Sequence, residues 1–250
     1  MDLGLDRAGM SCRWQVEIDE YCREVLRRHW PTVPKFADIC GVQGEDIEPV
    51  DLIAGGFPCQ DVSTCGLRRG IGDGTRSGLY SEMVRIVREL RPRYVLVENV
   101  PGLLAPIEPG QPAPMARVLG DLAELGFDAE WFCLPAASVG APHLRNRVFI
   151  FAYAKCESRG VRQIATHRHS DLATGGGVGK AEERGQDRNL APLVEGVHER
   201  TPADWWRAQS RMDRSCYGIP HRAQRVKALG NAVVPQVAEW IGRRIMEATA

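Results

Sequence analysis

Short apolar runs alternate along this chain with segments whose apolar residues recur at helical spacing. The runs are rich in Val and Ile, as buried strands are, and they lie at Trp14–Ile18, Val50–Ala54, Tyr94–Val97 and Val148–Ala152. Helical spacing is clearest over residues 79–90 and 115–125. Because strands that alternate with helices form sheets covered by helices, the sequence predicts an α/β fold with a mostly parallel sheet.

Three stretches differ in composition and predict three parts. Residues 1–154 hold 16 Lys and Arg against 21 Asp and Glu, together with every predicted strand. Residues 155–225 hold 13 against 9, are rich in Gly, Arg and His, and lack clear periodicity. Helical spacing returns over 226–250, where Pro235 suits the first turn of a helix. We predict an α/β body, a small polar insert, and a C-terminal helix that packs back on the body.

Overall charge and composition exclude few functions. The 250 residues are 44% hydrophobic with zero net charge, which is ordinary for a globular protein. The basic surplus of the insert fits contact with phosphates, but many solvated surfaces carry a similar surplus. No apolar run reaches 18 residues and the N-terminus lacks a signal pattern, so we expect a cytoplasmic protein with no membrane partner. Eight cysteines without C-x-x-C spacing predict no metal site.

The segment GGFPCQDVS follows the predicted strand that ends at Ala54. A strand followed by a glycine turn leads to the carboxyl edge of the sheet, where α/β proteins bind ligands. This turn presents Cys59, which becomes a nucleophile when its thiolate fraction is raised. A lone cysteine is more often a buried structural residue, and the surrounding segment favours the reactive alternative here.

Two further polar segments flank predicted strands. Glu98, in E-N-V, follows a strand and could protonate a ring nitrogen or hold an amino group. Without Cys59, a capping or salt-bridged carboxylate would be the favoured interpretation. Arg145 and Arg147, in HLRNR, precede a strand and would share a face if this stretch were extended. They could bind a phosphate or a base carbonyl, or could simply be solvated cations.

The order of four short motifs resembles that of a known family. The motifs are PCQ, ENV, an R-x-R pair before a strand and GN-x-V-x-P. They occur here in the same order as in the C5-cytosine DNA methyltransferases, and the compact phage and bacterial members are the most similar. The resemblance covers the body and the C-terminal helix. It implies a Rossmann-like methyltransferase fold with a target-recognition insert, S-adenosylmethionine as cofactor, and duplex DNA as substrate. It also implies a monomer, with a cognate restriction endonuclease as a candidate partner.

The resemblance implies a role for each residue at a matching position. Cys59 would add to carbon 6 of a flipped-out cytosine, Glu98 would protonate N3, and Arg147 would contact O2 with support from Arg145. Residues 65–78 would form the mobile loop that closes over the base. In the cofactor site, Glu17 would bind the ribose hydroxyls. The adenine would be contacted by Ile18, Asp38 and Ile39. The remaining cofactor residues would be Pro58, Leu79, Asn231 and Val233.

One family feature is missing from the sequence. Members begin with a central strand and a glycine loop of the form F-x-G-x-G-G, whereas this chain starts just beyond that point. We therefore expect the natural protein to begin upstream of Met1. Three alternatives stay open: an impaired DNA-binding remnant, an RNA cytosine methyltransferase, and a dinucleotide oxidoreductase. The absence of G-x-G-x-x-G after the first strand disfavours the oxidoreductase.

Overall fold

Two sheets organise the part of the chain that the computed structural model describes, which is residues 1–58, 78–107, 109–155 and 220–249. A two-stranded parallel sheet joins β1 (Gln15–Val16) to β2 (Lys35–Phe36). The larger sheet has the order β3-β4-β6-β5, with bounds Leu52–Gly56 for β3, Tyr94–Asn99 for β4, Phe127–Pro135 for β5 and Asn146–Ala154 for β6.

Pairing in the larger sheet is mixed. Strands β3 and β4 run parallel, whereas β6 runs antiparallel to both β4 and β5. Because only a 3-10 turn at Ala136–Val139 and a short loop join β5 to β6, the two strands pair as antiparallel neighbours. The α/β class predicted from the sequence is confirmed. Strand β5 was not predicted, since its sequence FDAEWFCLP contains no Val or Ile.

Helices follow the predicted spacing and begin at suitable residues. Pro114 and Pro235 each occupy the first helical position, where the missing N–H of proline costs no hydrogen bond. The described helices are α1 (Asp2–Arg7), α2 (Glu20–His29), α3 (Leu79–Leu90), α4 (Pro114–Glu124), α5 (Arg222–Asn231) and α6 (Pro235–Thr249). Helix α5 thus crosses the predicted boundary at residue 225. No described helix is long and apolar enough to cross a bilayer.

Strand β4 is buried on both faces, which explains its uninterrupted apolar run. Val95 and Val97 join the core cluster formed with α3 and α4, whereas Leu96 joins the cluster formed with α1 and α6. Helices therefore cover both faces of the larger sheet. The carboxyl ends of β3 and β4 and the amino end of β6 meet at one edge, because Gly56 pairs with Glu98 and Asn99 pairs with Val148.

Candidate active site

Glu98 lies at this edge, near the end of β4 and opposite Gly56 of β3. A Cβ atom added to Gly56 would stand 3.1 Å from Oε2 of Glu98 and 3.2 Å from its carbonyl oxygen. A glycine therefore leaves room for the carboxyl group. The Glu98 side chain is 13% exposed, so it has lost most of its contact with water while remaining reachable from the edge.

Arg147 provides the charged partner of Glu98. Its Nε atom donates to Oε1 of Glu98 at 2.9 Å, and its Nη1 atom donates to the carbonyl oxygen of Asn146 at 2.8 Å. Burial raises the pKa of Glu98, and this outweighs the opposing attraction of Arg147 and Arg145. A carboxyl group in this position retains its proton at higher pH than an ordinary Glu.

Asn99, the residue after Glu98 in the E-N-V motif, has no role among those that the resemblance implies. It is 4% exposed; its Nδ2 donates to the carbonyl oxygen of Phe57 at 2.9 Å, and its Oδ1 accepts from the backbone N–H of Val100 at 2.8 Å. The amide thus fixes the backbone just before Pro58. The available signal was a polar residue that directly continues a buried strand, since a buried amide requires hydrogen-bond partners.

Arg145 lies two residues before Arg147 but has different partners. Residue 145 has φ of 28°, so the backbone is not extended there and the two arginines do not share a face as an extended stretch would require. The Nη2 atom of Arg145 donates to the carbonyl oxygens of Gly230 and Ala232, each at 2.7 Å. Burial, followed by repulsion from Arg147, lowers the pKa of Arg145, against the attraction of Glu98.

Four of the predicted cofactor residues lie at the carboxyl ends of β1 and β2. Glu17 accepts the N–H of Asp19 at 2.8 Å, and Asp38 accepts the N–H of Cys40 at 2.9 Å. Ile18 is 67% exposed, and Ile39 is half-buried against the core. An exposed aliphatic side chain that follows a carboxylate in the sequence fits a nucleoside, which offers an apolar ring face and hydroxyl donors.

The other predicted cofactor residues are spread over three elements. Pro58 is exposed just after β3, and Leu79 is the half-buried first residue of α3. Asn231 ends α5 and is exposed, while half-buried Val233 lies in the turn between α5 and α6. Lys227 of α5 reaches Asp19, with 2.7 Å between Nζ and Oδ2, so this helix lies beside the β1 end.

Cys59 lies outside the described residues. The same holds for most of the predicted mobile loop, residues 65–78, and for most of the predicted insert, residues 155–225. Within the described ranges, no group of three or more His, Cys, Asp or Glu side chains is arranged to hold a metal ion.

Comparison with known proteins identifies the family. The sequence profile of the C-5 cytosine-specific DNA methylases matches residues 1–188. The chain belongs to this family. Among curated relatives, the Type II methyltransferase M2.BsuMI of Bacillus subtilis is 32% identical over 176 residues, which are 69% of this chain and 44% of that protein. M.NgoMIV of Neisseria gonorrhoeae is 26% identical over 98% of this chain and 93% of its own length.

Solved structures of similar fold are also methyltransferases. A protein described as a DNA modification methyltransferase encoded within an E. coli prophage is 27% identical, with a TM-score of 0.51. That match covers 64% of this chain and 44% of the other. Spodoptera frugiperda DNMT2, at 22% identity and a TM-score of 0.50 over 61% of this chain and 46% of its own, supports the fold of the methylase. The methylase thus spans less than half of several proteins that it matches.

Proposed function

We propose that this methylase transfers a methyl group from S-adenosylmethionine to carbon 5 of cytosine in double-stranded DNA. One observation carries the proposal. The desolvated carboxyl group of Glu98 is held by Arg147 at the sheet edge where the chain leaves β3 toward Cys59. A family member with this arrangement has a proton donor and a cation beside the segment that contains its nucleophile.

Glu98 acts as the general acid toward N3 of the cytosine. A raised pKa suits this role, because the acid must still carry its proton near neutral pH. Arg147 neutralises the carboxylate that remains after the proton has moved, and it directs the base through O2. The target atom is hidden in stacked DNA, so the base must leave the helix before it can reach this edge.

Cys59 acts as the nucleophile. Its thiolate forms a bond to carbon 6 while N3 takes the proton of Glu98, and electron density then moves to carbon 5. S-adenosylmethionine supplies an electrophilic methyl group on a sulfonium. After methyl transfer, water takes the proton from carbon 5 and the Cys59 thiolate leaves carbon 6. N3 then returns its proton to Glu98, so the aromatic ring is restored and the enzyme is unchanged.

The residues at the β1 and β2 ends fit the cofactor. Glu17 and Asp38 offer carboxylate acceptors for hydroxyl and amino groups, and Ile18 offers an exposed apolar surface to the adenine. Asn231 and Val233 approach from the turn after α5, which the Lys227–Asp19 contact brings to the same side of the molecule.

Trapping with a fluorinated substrate tests the assignment of Cys59. A duplex that contains 5-fluorocytosine should form a covalent complex, because fluorine cannot leave carbon 5 as a proton does. Cys59→Ser should abolish both the complex and methyl transfer while DNA binding persists. Cys133 is exposed on β5, so Cys133→Ser is the matched control and should form the adduct normally. Methyl transfer at the normal rate by Cys59→Ser would refute the mechanism, and methylation of tRNA instead of duplex DNA would refute the substrate.

Residues 155–225 form the second part of the proposal, as the target-recognition segment between the body (1–154) and the C-terminal part (226–250). The supporting observations are their basic surplus and their position outside the catalytic motifs, since base contacts rather than phosphate contacts specify sequence. Exchange of this segment with that of a related methyltransferase should transfer the methylated site. A chimaera that keeps the recipient's specificity would contradict this.

A further inference from the structure

Helix α5 has almost no apolar packing against the part of the chain that the structure describes. None of its side chains is buried, and Val226 and Leu229 are largely exposed. Most helices dock through an apolar stripe, which is the main source of their stability in a protein. Among these described residues, the position of α5 therefore depends mainly on polar contacts.

The contacts of α5 and of its N-cap residue His221 with the other described residues lie at three points. The His221 ring stands 6.1 Å from that of Tyr21, and Lys227 pairs with Asp19 on the solvent-exposed surface. Exposed ion pairs contribute little because water screens them and ordering long side chains costs entropy. The third point, at the C-terminal end of α5, is the contact with Arg145.

Arg145 caps the C-terminus of α5. The last carbonyl groups of a helix have no partner within the helix, and the helix dipole makes this end favourable for a cation. One Nη2 atom donates to the carbonyl oxygens of Gly230 and Ala232, both at 2.7 Å, the length of charge-assisted hydrogen bonds. These two residues flank Asn231 on either side.

The backbone of Arg145 supports the same conclusion. A φ of 28° is unfavourable for a residue with a side chain, and such conformations persist where the surroundings require them. Here the turn directs one guanidinium to α5, whereas that of Arg147 reaches Glu98.

We propose that Arg145 is a positioning residue that fixes the turn after α5, and with it Asn231 and Val233, relative to the Glu98–Arg147 pair. It acts on cofactor binding through these residues and does not touch the base. The inference rests on the proposed function, since it assigns the turn to the cofactor. It adds a physical connection between the half of the site that binds the cofactor and the half that binds the base.

Steady-state kinetics of Arg145→Ala and Arg145→Lys test this role. Loss of the two hydrogen bonds should raise the KM for S-adenosylmethionine about 10–100-fold in Arg145→Ala and less in Arg145→Lys, which keeps one charged donor. The kcat at saturating cofactor and the KM for DNA should change little. Arg243, which pairs with Glu239 on the surface of α6, offers a matched control, and Arg243→Ala should leave every constant unchanged.

Hydrogen exchange gives a readout that does not require activity. In Arg145→Ala the amides of α5 should exchange faster, while those of β6 should keep their protection. A fall in kcat without a change in the KM for cofactor, or unchanged exchange in α5, would overturn the positioning role. If the proposed function is wrong, the wild-type protein will neither methylate DNA nor bind S-adenosylmethionine. The hydrogen-exchange result then still decides whether Arg145 holds α5.

Discussion

Substitution of Gly4 by alanine should destabilise the protein through the contact between α1 and α6. The added Cβ would stand 2.3 Å from the carbonyl oxygen of Pro235, 2.6 Å from the Cβ of Ala238 and 2.6 Å from the backbone nitrogen of Glu239. Two of these three atoms belong to the backbone, so no side-chain rotation relieves the clash. The helices must separate by roughly 1 Å to restore ordinary contact distances.

The size of the loss follows from the packing at this contact. A gap of that order removes at least a quarter of each dispersion contact, and a buried leucine makes roughly 40–60 contacts of ~0.1–0.2 kcal/mol. Leu5, which is buried beside Gly4, would therefore lose about 1–3 kcal/mol. Alanine returns about 1 kcal/mol through its better helix propensity. We expect a net loss of about 0–2 kcal/mol, at the lower end of the range typical of overpacked cores.

Thermal and urea unfolding measure this effect against an internal control. Gly120 is exposed within α4 and a Cβ there would meet nothing within 4 Å, so Gly120→Ala should stabilise the protein by about 1 kcal/mol. Gly4→Ala should lower Tm by up to about 8 °C, and Gly120→Ala should raise it by about 2–4 °C. Equal and positive shifts for both variants would show that α1 and α6 do not approach as closely as described, and would refute the reasoning.

Three further predictions concern the sheet edge that holds Glu98. Glu98→Gln should lower kcat about 10²–10⁴-fold with little change in cofactor affinity, and loss of cofactor binding with normal kcat would contradict the role of Glu98. In a pH profile of kcat, activity should fall as pH rises through the raised pKa of Glu98; Arg147→Ala removes a cation that lowers this pKa, so the fall should move to higher pH. Asn99→Ala leaves the carbonyl group of Phe57 without its hydrogen-bond donor, so the free energy of unfolding measured in urea should fall by about 1–3 kcal/mol. Adduct formation should also become slower. A variant as stable as wild type would show that water replaces the lost amide.

The elements predicted best from the sequence are those whose local pattern matches their burial. Strand β4 extends two residues beyond the predicted run and is apolar because both its faces are covered. The run at Trp14–Ile18 was predicted as a strand of five residues, but only Gln15–Val16 pair, because the partner strand β2 is equally short. Strand β5 has mixed composition and was missed, since part of its length is exposed.

For the site, the sequence did not predict contacts between residues that are far apart along the chain. The motifs placed Glu98 and Arg147 near one sheet edge, and the structure joins them in an ion pair. No spacing rule connects Arg145 to Gly230, which is 85 residues away, because this contact depends on how α5 docks. The position of Asn99 directly after a buried run indicates its burial, but no spacing rule identifies Phe57, 42 residues away, as its hydrogen-bond partner.

The antiparallel direction of β6 separates the Glu98–Arg147 pair from Lys155, where the predicted body gives way to the predicted insert. Arg147 lies near the start of this strand, and Lys155 follows its last residue, so about eight residues of extended chain place these two roughly 26 Å apart. The N–H of Lys155 is held by the carbonyl oxygen of Gly126, which anchors that junction to the sheet. A protein engineer could therefore join a foreign segment at Lys155 with a whole strand between the junction and the Glu98–Arg147 pair. The return junction requires more care, because α5 leads from it directly to the carbonyl groups that Arg145 holds.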